Sequence, residues 1–267
     1  MDFDSPHSTR FSPFHSPKKS LILHIRVDNT NYDDATNRIL TWAVSGEKSY
    51  VCVANVHMVM EAYKKNRFRK IVNKSDLVTA DGMPLVWTMR LLGATNQSRV
   101  YGPTLTSHVC RAASKHGLTV GFYGGSSETI KCLVKNLSNR YPSLRIVYAY
   151  SPPFRPLRTE EDEKVVQNIN NSGAKVLFVG LGCPNQEQWM SNHLGKINAV
   201  MIGVGAAFDF HAGIKKQAPS WMMAMGLEWL FRLRTEPRRL WKRYLYNNPR
   251  FLFLVAKQIL RERLLRN

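Results

Sequence analysis

The feature that most constrains this 267-residue chain is a regular alternation along its length. Short apolar runs at 21–27, 50–54, 77–80, 119–123, 145–150, 175–180 and 199–204 are separated by amphipathic stretches. These lie at about 57–72, 83–92, 104–116, 126–140, 160–172 and 185–194. The short runs fit strands, most of them buried on both faces, and the longer stretches repeat apolar positions with the helical period. Tyr32 to Val44 adds a further helix, with Asp33 and Asp34 in its first turn, where the helix dipole favours negative charge. Strands interleaved with helices predict βαβ units. The expected class is α/β, with a Rossmann-like, mostly parallel sheet covered by helices on both faces. Right-handed crossovers would bring the C-terminal strand ends to one rim, the edge at which such sheets bind ligands.

Two stretches depart from the alternation. Residues 1–20 hold Pro6, Pro13, Pro17 and five Ser without apolar periodicity, and read as a disordered extension. Residues 215–267 read as helices only and carry 13 Lys/Arg against 3 Asp/Glu, within a chain whose formal charge is +19. They also hold Trp221, Trp229 and Trp241. The expected organisation is therefore an α/β domain over 21–214 followed by a basic, aromatic helical appendage over 215–267. That composition suits an anionic surface: lipid headgroups, phosphates or nucleic acid. Within it, Arg238, Arg239, Lys242 and Arg243 alternate with Leu240, Trp241, Tyr244 and Leu245. On an isolated helix the basic four take one side and the apolar four the other, as in a helix lying in a membrane interface. An ordinary helix docked on the domain, with a solvated basic face, fits the same residues equally.

The four cysteines, Cys52, Cys110, Cys132 and Cys183, form no CxxC pair, which argues against a disulfide scaffold or zinc ribbon and for a reducing compartment. No run approaches the ~20 apolar residues of a membrane span, and the N-terminus is unlike a secretory leader. A soluble cytoplasmic chain is expected.

Three glycine-bearing turns follow expected strands: Gly121 to Ser126, Gly180 to Glu187 and Gly203 to Asp209. Glycines such as Gly124, Gly125, Gly182 and Gly205 let backbone amides approach a ligand, and a following helix N-terminus favours phosphate. Any one of them could be merely a tight turn. Three on one rim favour a nucleotide-type ligand. Phe208 stands where a dinucleotide fingerprint needs its third glycine, and no P-loop is present, so NAD and ATP are disfavoured. Asp81, in Thr79-Ala80-Asp81-Gly82, ends an apolar run, where a carboxylate can act as general base or cation ligand. It could equally cap the helix expected over 83–92. Asn55 ends another run with an amide on the same rim, or is a plain turn residue. No HxxxH or HExxH spacing occurs, and His57, His108, His116, His193 and His211 stand apart, so no tightly held metal is expected. Ser126 and Ser127 lack a nucleophile-elbow pattern.

Taken in order, these segments resemble the WecG/TagA/CpsF glycosyltransferase family over about residues 21–250. The resemblance rests on the Ala54-Asn55 turn, Thr79 to Gly82, Arg99-Val100-Tyr101-Gly102-Pro103 and Gly121 to Ser126. It continues through Gly182-Cys183-Pro184-Asn185-Gln186-Glu187, Gly203 to Asp209, Gly226-Leu227-Glu228-Trp229 and Glu236-Pro237-Arg238-Arg239. It implies a bacterial enzyme of cell-surface polysaccharide assembly. Such enzymes move a sugar (N-acetylmannosamine, its uronic acid or glucose) from a UDP-sugar to a polyprenyl-diphosphate-linked saccharide, with inversion, no cofactor and no tightly bound metal. By the same resemblance, Asp81 falls on the general base, Asn55 and Gln186 on active-site positions and Asp209 in a nucleotide-binding loop. The C-terminal arginines fall on a segment that closes over the site and meets the inner face of the cell membrane. Many relatives have Asp where Thr104 stands, so no role is carried there.

Chemistry fills in the remaining candidates. Leaving-group charge calls for Arg99, Arg238, Arg239 and Arg243, with Gly124, Gly125, Gly182, Pro184 and Gly205 shaping the amide-lined turns. The rival reading is a nucleic-acid-binding protein using its basic surface, although no RRM, KH or helix-turn-helix signature accompanies the charge. A homo-oligomer is left open by the sequence.

Overall fold

The computed structural model describes residues 18–265, so residues 1–17 of the expected extension lie outside the described residues. The structure begins with an antiparallel hairpin, β1 (Lys19–Ile22) and β2 (Ile25–Asp28), where a single strand was expected at 21–27. Lys19 and Ser20 already belong to it. The reversal rests on Leu23, whose φ of 54° is unusual for a non-glycine residue. Asp28 ties the hairpin down: its buried carboxylate accepts from the Val78 amide at 2.9 Å and faces Arg38 at 3.5 Å.

Then follow α1 (Tyr32–Ser45), β3 (Tyr50–Ala54), α2 (Val56–Lys64), α3 (Asn66–Lys74), β4 (Leu77–Ala80), α4 (Met83–Leu91) and α5 (Gly102–Lys115). The second half of the sheet is β5 (Thr119–Gly124), α6 (Ser127–Arg140), β6 (Arg145–Tyr150), α7 (Thr159–Ser172), β7 (Val176–Gly180), α8 (Asn185–His193), β8 (Val200–Gly203) and α9 (Ala207–His211). Helices α10 (Ser220–Ala224), α11 (Glu228–Thr235) and α12 (Pro237–Leu264) complete it. Local chemistry sets several starts: Asn31, Asn55 and Ser126 accept from the amides of Asp34, Met58 and Thr129, satisfying orphan donors of α1, α2 and α6. The stretch expected as one helix over 57–72 breaks at Lys65, which is extended, giving α2 and α3.

The six-stranded sheet has the order β4-β3-β8-β7-β5-β6, and every pairing is parallel. Alternate side chains feed opposite faces, as the pleat requires. Tyr50, Cys52 and Ala54 of β3 face a core built with α2, α3, α4, α8 and the hairpin; Val51 and Val53 face one built with α1, α5, α6 and α9. This is the α/β, Rossmann-like arrangement. The chain passes from β3 to the edge strand β4, so the C-terminal ends of these two adjacent strands share one part of the rim.

The C-terminal helices are less separate than their composition suggests. On α12 the inward positions are Leu240, Asn247, Phe251 and Val255, at helical spacing. Phe251 and Val255 join the core on the hairpin side of the sheet. Gln258 accepts from the Leu23 amide at 2.8 Å and donates to the Leu21 carbonyl at 2.7 Å. Residues 238–245 lie on α12, but only part of their apolar side is covered by the domain. Leu240 is buried, Trp241 and Leu245 are exposed beside Arg238, Arg239 and Lys242, and Arg243 and Tyr244 are partly buried. Contact with the domain, rather than the hydrophobicity of an isolated helix, sets the rotation. No helix among the described residues is long and apolar enough to cross a membrane.

Candidate active site

The ends of the two neighbouring strands β3 and β4 set Asn55 and Asp81 side by side on the rim. The Asp81 amide donates to the Ala54 carbonyl at 2.8 Å, continuing the ladder by one bond. The capping alternative for Asp81 fails: Gly82 occupies the N-cap of α4 and no side chain caps that helix. The carboxylate is left to line a cleft together with Asn55, Arg99 and residues of the C-terminal helices. Asn55 does cap α2 through its carbonyl oxygen, and also lines the cleft.

Arg99 is threaded through this corner. Its Nε donates to the Asp81 backbone carbonyl. Its Nη2 lies 3.4 Å from Asp81 Oδ1 and 2.5 Å from Glu228 Oε2, and its guanidinium stacks on the Tyr101 ring at 4.2 Å. Glu228 is the first residue of α11, so the C-terminal helices supply part of the site. Burial pushes the Asp81 carboxyl up to about 6; Arg99 opposes the rise, Glu228 adds to it and Arg232 opposes it. A carboxylate of that strength matches proton abstraction near neutral pH.

The roof of the cleft is built from α10 to α12. Met223 and Trp229 contribute apolar surface, while Arg232, Arg243, Tyr244 and Asn247 contribute polar groups. The buried Nε atoms of Arg232 and Arg243 have no hydrogen-bond partner among the described residues, and both arginines line the cleft. On the floor, burial and the nearby Arg243 push His57 down to about 4, so its ring is neutral near pH 7. Asn247 links the two sides, accepting from Lys64 Nζ at 3.2 Å. Among the described residues no three His, Cys, Asp or Glu side chains gather as a metal-holding group.

Asn55, Asp81, Arg99 and Arg243 are thus brought into one cleft. The other sequence candidates lie elsewhere. Gln186 is buried beneath the rim, accepting from the Gly182 amide at 3.2 Å and donating to Glu187 Oε1 at 2.7 Å. It holds the turn that Gly182 and Pro184 form ahead of α8, and burial pushes its partner Glu187 up to about 7. Gly124 and Gly125 sit at the end of β5 against β7, with the Gly125 amide donating to the Gly180 carbonyl at 3.2 Å. Gly124 has φ +124°, and a Cβ there would stand 2.6 Å from the Gly180 backbone, so only glycine fits. Gly205 opens the turn into α9. Asp209 pairs with Lys215 at 2.7 Å, and Lys215 reaches Glu236, which in turn holds Arg239 at 2.6 Å. Arg238 is exposed on the outer side of α12. These residues line the β8, β7 and β5 portion of the rim or the outside of the roof, not the Asp81 cleft.

Glu228, Arg232, Tyr244, Asn247 and His57 were not singled out for this cleft by the sequence reading. Glu228 and Arg232 had one local signal, an i,i+4 spacing that places both on one helix face. Which face meets Asp81 is a tertiary matter.

Residues 21–264 match the model of the glycosyl transferase WecG/TagA/CpsF family. The chain belongs to that family. As a WecG/TagA/CpsF glycosyltransferase it is similar to the Bacillus subtilis (strain 168) protein named N-acetylglucosaminyldiphosphoundecaprenol N-acetyl-beta-D-mannosaminyltransferase. The two are 32% identical over 209 residues, 78% of this chain and 79% of the relative. A Staphylococcus aureus (strain NCTC 8325 / PS 47) protein of the same name is 28% identical over 239 residues, 88% of this chain and 91% of the relative.

Proposed function

We propose that this family member transfers an N-acetylmannosaminyl-type sugar from a UDP-sugar to a polyprenyl-diphosphate-linked N-acetylglucosamine, with inversion, in cell-surface polysaccharide assembly. The sugar and acceptor follow the names of the relatives, and the family resemblance adds the UDP donor and inversion. In a single displacement the acceptor hydroxyl oxygen attacks the anomeric carbon as the bond to the UDP oxygen breaks. UDP departs with the electron pair, and the hydroxyl proton passes to Asp81. Arg99, Arg232 and Arg243 offset the charge growing on the leaving diphosphate, and the turns at Gly124, Gly125, Gly182, Pro184 and Gly205 shape the adjoining rim so that its backbone can come close to the nucleotide. Gln186 is then a brace for that rim rather than a group on the substrate. Asp209 and Arg239 act through the Lys215–Glu236 chain that seats the start of α12, and Arg238 lies exposed beside it.

One observation carries this reading: a carboxylate that caps no helix, raised in proton affinity by burial, faces an arginine-lined cleft at the C-terminal ends of two adjacent strands. A lipid-linked acceptor also requires approach to a membrane surface. Exposed Trp241, Leu245, Leu252 and Phe253, with Lys242, Arg250 and Lys257 on the same helix, suit the inner leaflet of the cell membrane.

The test is reconstitution. The purified protein is given UDP-N-acetylmannosamine and a short-chain lipid-diphosphate N-acetylglucosamine, and release of UDP and the anomeric configuration of the product are measured. Inverted product, abolished by Asp81→Asn with UDP binding intact, is the expected result. Transfer at the normal rate by that variant removes Asp81 as the base.

A further inference from the structure

The two acids and two arginines at the mouth of the cleft are not arranged as independent ion pairs. A single nitrogen, Arg99 Nη2, serves both carboxylates, and it lies much nearer to Glu228 (2.5 Å) than to Asp81 (3.4 Å). Without Glu228, the fork of an arginine beside a lone carboxylate favours a close two-bond pair, which would hold Asp81 in its charged form and make it a poor proton acceptor. Glu228 comes from α11, a helix with no fully buried residue, yet its own side chain is only 13% exposed. A half-buried ion pair adds little net stability, so packing alone does not account for an acid there.

We propose, resting on the reading of Asp81 as the base, that Glu228 is a positioning residue whose carboxylate holds Arg99 off Asp81, so that the base has its full proton affinity only with α11 docked over the cleft. Every charged or titratable group facing the pair enters this balance. Arg99 and the Tyr101 ring approach from the segment before α5, and Arg232 from α11. Tyr32 lies beyond Arg99, and the Gly102 amide donates to Asp81. Arg243 of α12 and the neutral His57 of α2 complete the walls. Because both carboxylate oxygens touch one nitrogen, they lie within about 6 Å of each other. At that separation in a partly buried site, loss of the Glu228 charge lowers the Asp81 midpoint by about one to two pH units. The released Arg99 adds to the same change.

The experiment is a carboxyl-carbon NMR titration of the full chain, with the Asp81 resonance assigned by its absence in Asp81→Asn. In Glu228→Gln the Asp81 midpoint is expected to fall by at least one unit, and Glu228→Asp to restore part of it. In turnover assays the acid limb of kcat/KM moves by the same amount. An Asp81 midpoint in Glu228→Gln equal to that of the parent overturns the proposal and leaves Glu228 a packing residue. If Glu228→Gln loses its near-ultraviolet circular dichroism, Glu228→Asp decides alone: a midpoint lowered from the parent's supports the proposal and an unchanged one overturns it. Failure of the wider functional reading is separately visible, since it shows as full turnover by Asp81→Asn whatever the titrations do.

Discussion

Asp81 makes a quantitative prediction because its environment pulls its ionisation away from that of an exposed aspartate. With its midpoint at about 6, roughly a tenth of the molecules carry the carboxylate at pH 5, and turnover there is expected to be about tenfold below its plateau. An ordinary aspartate, near 3.9, would lose only about a tenth of its activity at the same pH. The same displacement acts on stability. A group whose folded midpoint lies above its unfolded one contributes stability that is complete below the ordinary carboxylate range and is lost as pH rises through about 6. Two units correspond to about 2–3 kcal/mol, or about 5–10 °C in Tm for a chain of this size. Asp81→Asn has no such loss. The parent's Tm is therefore expected to fall relative to that of Asp81→Asn between pH 4 and pH 7.5, while Glu187, present in both proteins, cancels from the difference. The assay is paired thermal unfolding across that range beside a kcat/KM profile. A Tm difference independent of pH, with an acid limb at or below pH 4, would refute the reasoning.

Other expectations concern packing, the rim and the roof. Phe251→Ala, which empties a fully buried ring between α12 and the sheet, is expected to cost about 3–5 kcal/mol by chemical denaturation. A cost under 1 kcal/mol would mean that the end of α12 is not docked. Gly124→Ala should lose UDP binding and stability together in calorimetry, since its Cβ meets the Gly180 backbone at 2.6 Å. Arg243→Ala, removing a guanidinium with a buried, unpartnered Nε, should weaken UDP binding by about 10–100-fold with little change in Tm. Full-strength binding would exclude it from the diphosphate. Replacing Trp241, Leu245 and Phe253 together by Ser should abolish sedimentation with anionic vesicles while leaving Tm unchanged; retained sedimentation would move the contact elsewhere.

The sheet was legible because its central strands lie between two helical layers and so read as unbroken apolar runs, as at Tyr50–Ala54 and Val176–Gly180. The hairpin was not, because Leu23 reverses the chain at a positive φ without a glycine to announce it. Asn55 and Asp81 were legible as neighbours because strand ends share a rim by topology alone, whereas Arg99, on the segment between α4 and α5, was picked out only by the charge a leaving diphosphate requires. Glu228, Arg232 and Asn247 were not, since helices more than a hundred residues away carry them to it, and only docking decides which face they present. The rotation of α12 was not legible for the same cause: Leu240 and Trp241 both lie on the apolar side in sequence, yet one is covered by the domain and the other is exposed. Gln186, which the family resemblance puts at an active-site position, has its amide engaged by Gly182 and Glu187, a contact no sequence pattern announces.

One helix joins two tasks that proteins often keep apart. The stretch of α12 bearing Arg243, Tyr244 and Asn247 roofs the cleft, and two turns further on Phe251 is plugged into the core. Loosening the plug therefore slackens the roof as well, so catalytic integrity and global cohesion form a single cooperative unit. Amides around Tyr244 and around Val255 should trade their hydrogens for deuterium in step, and a lesion at the distal end of α12 should lose activity and fold along the same curve.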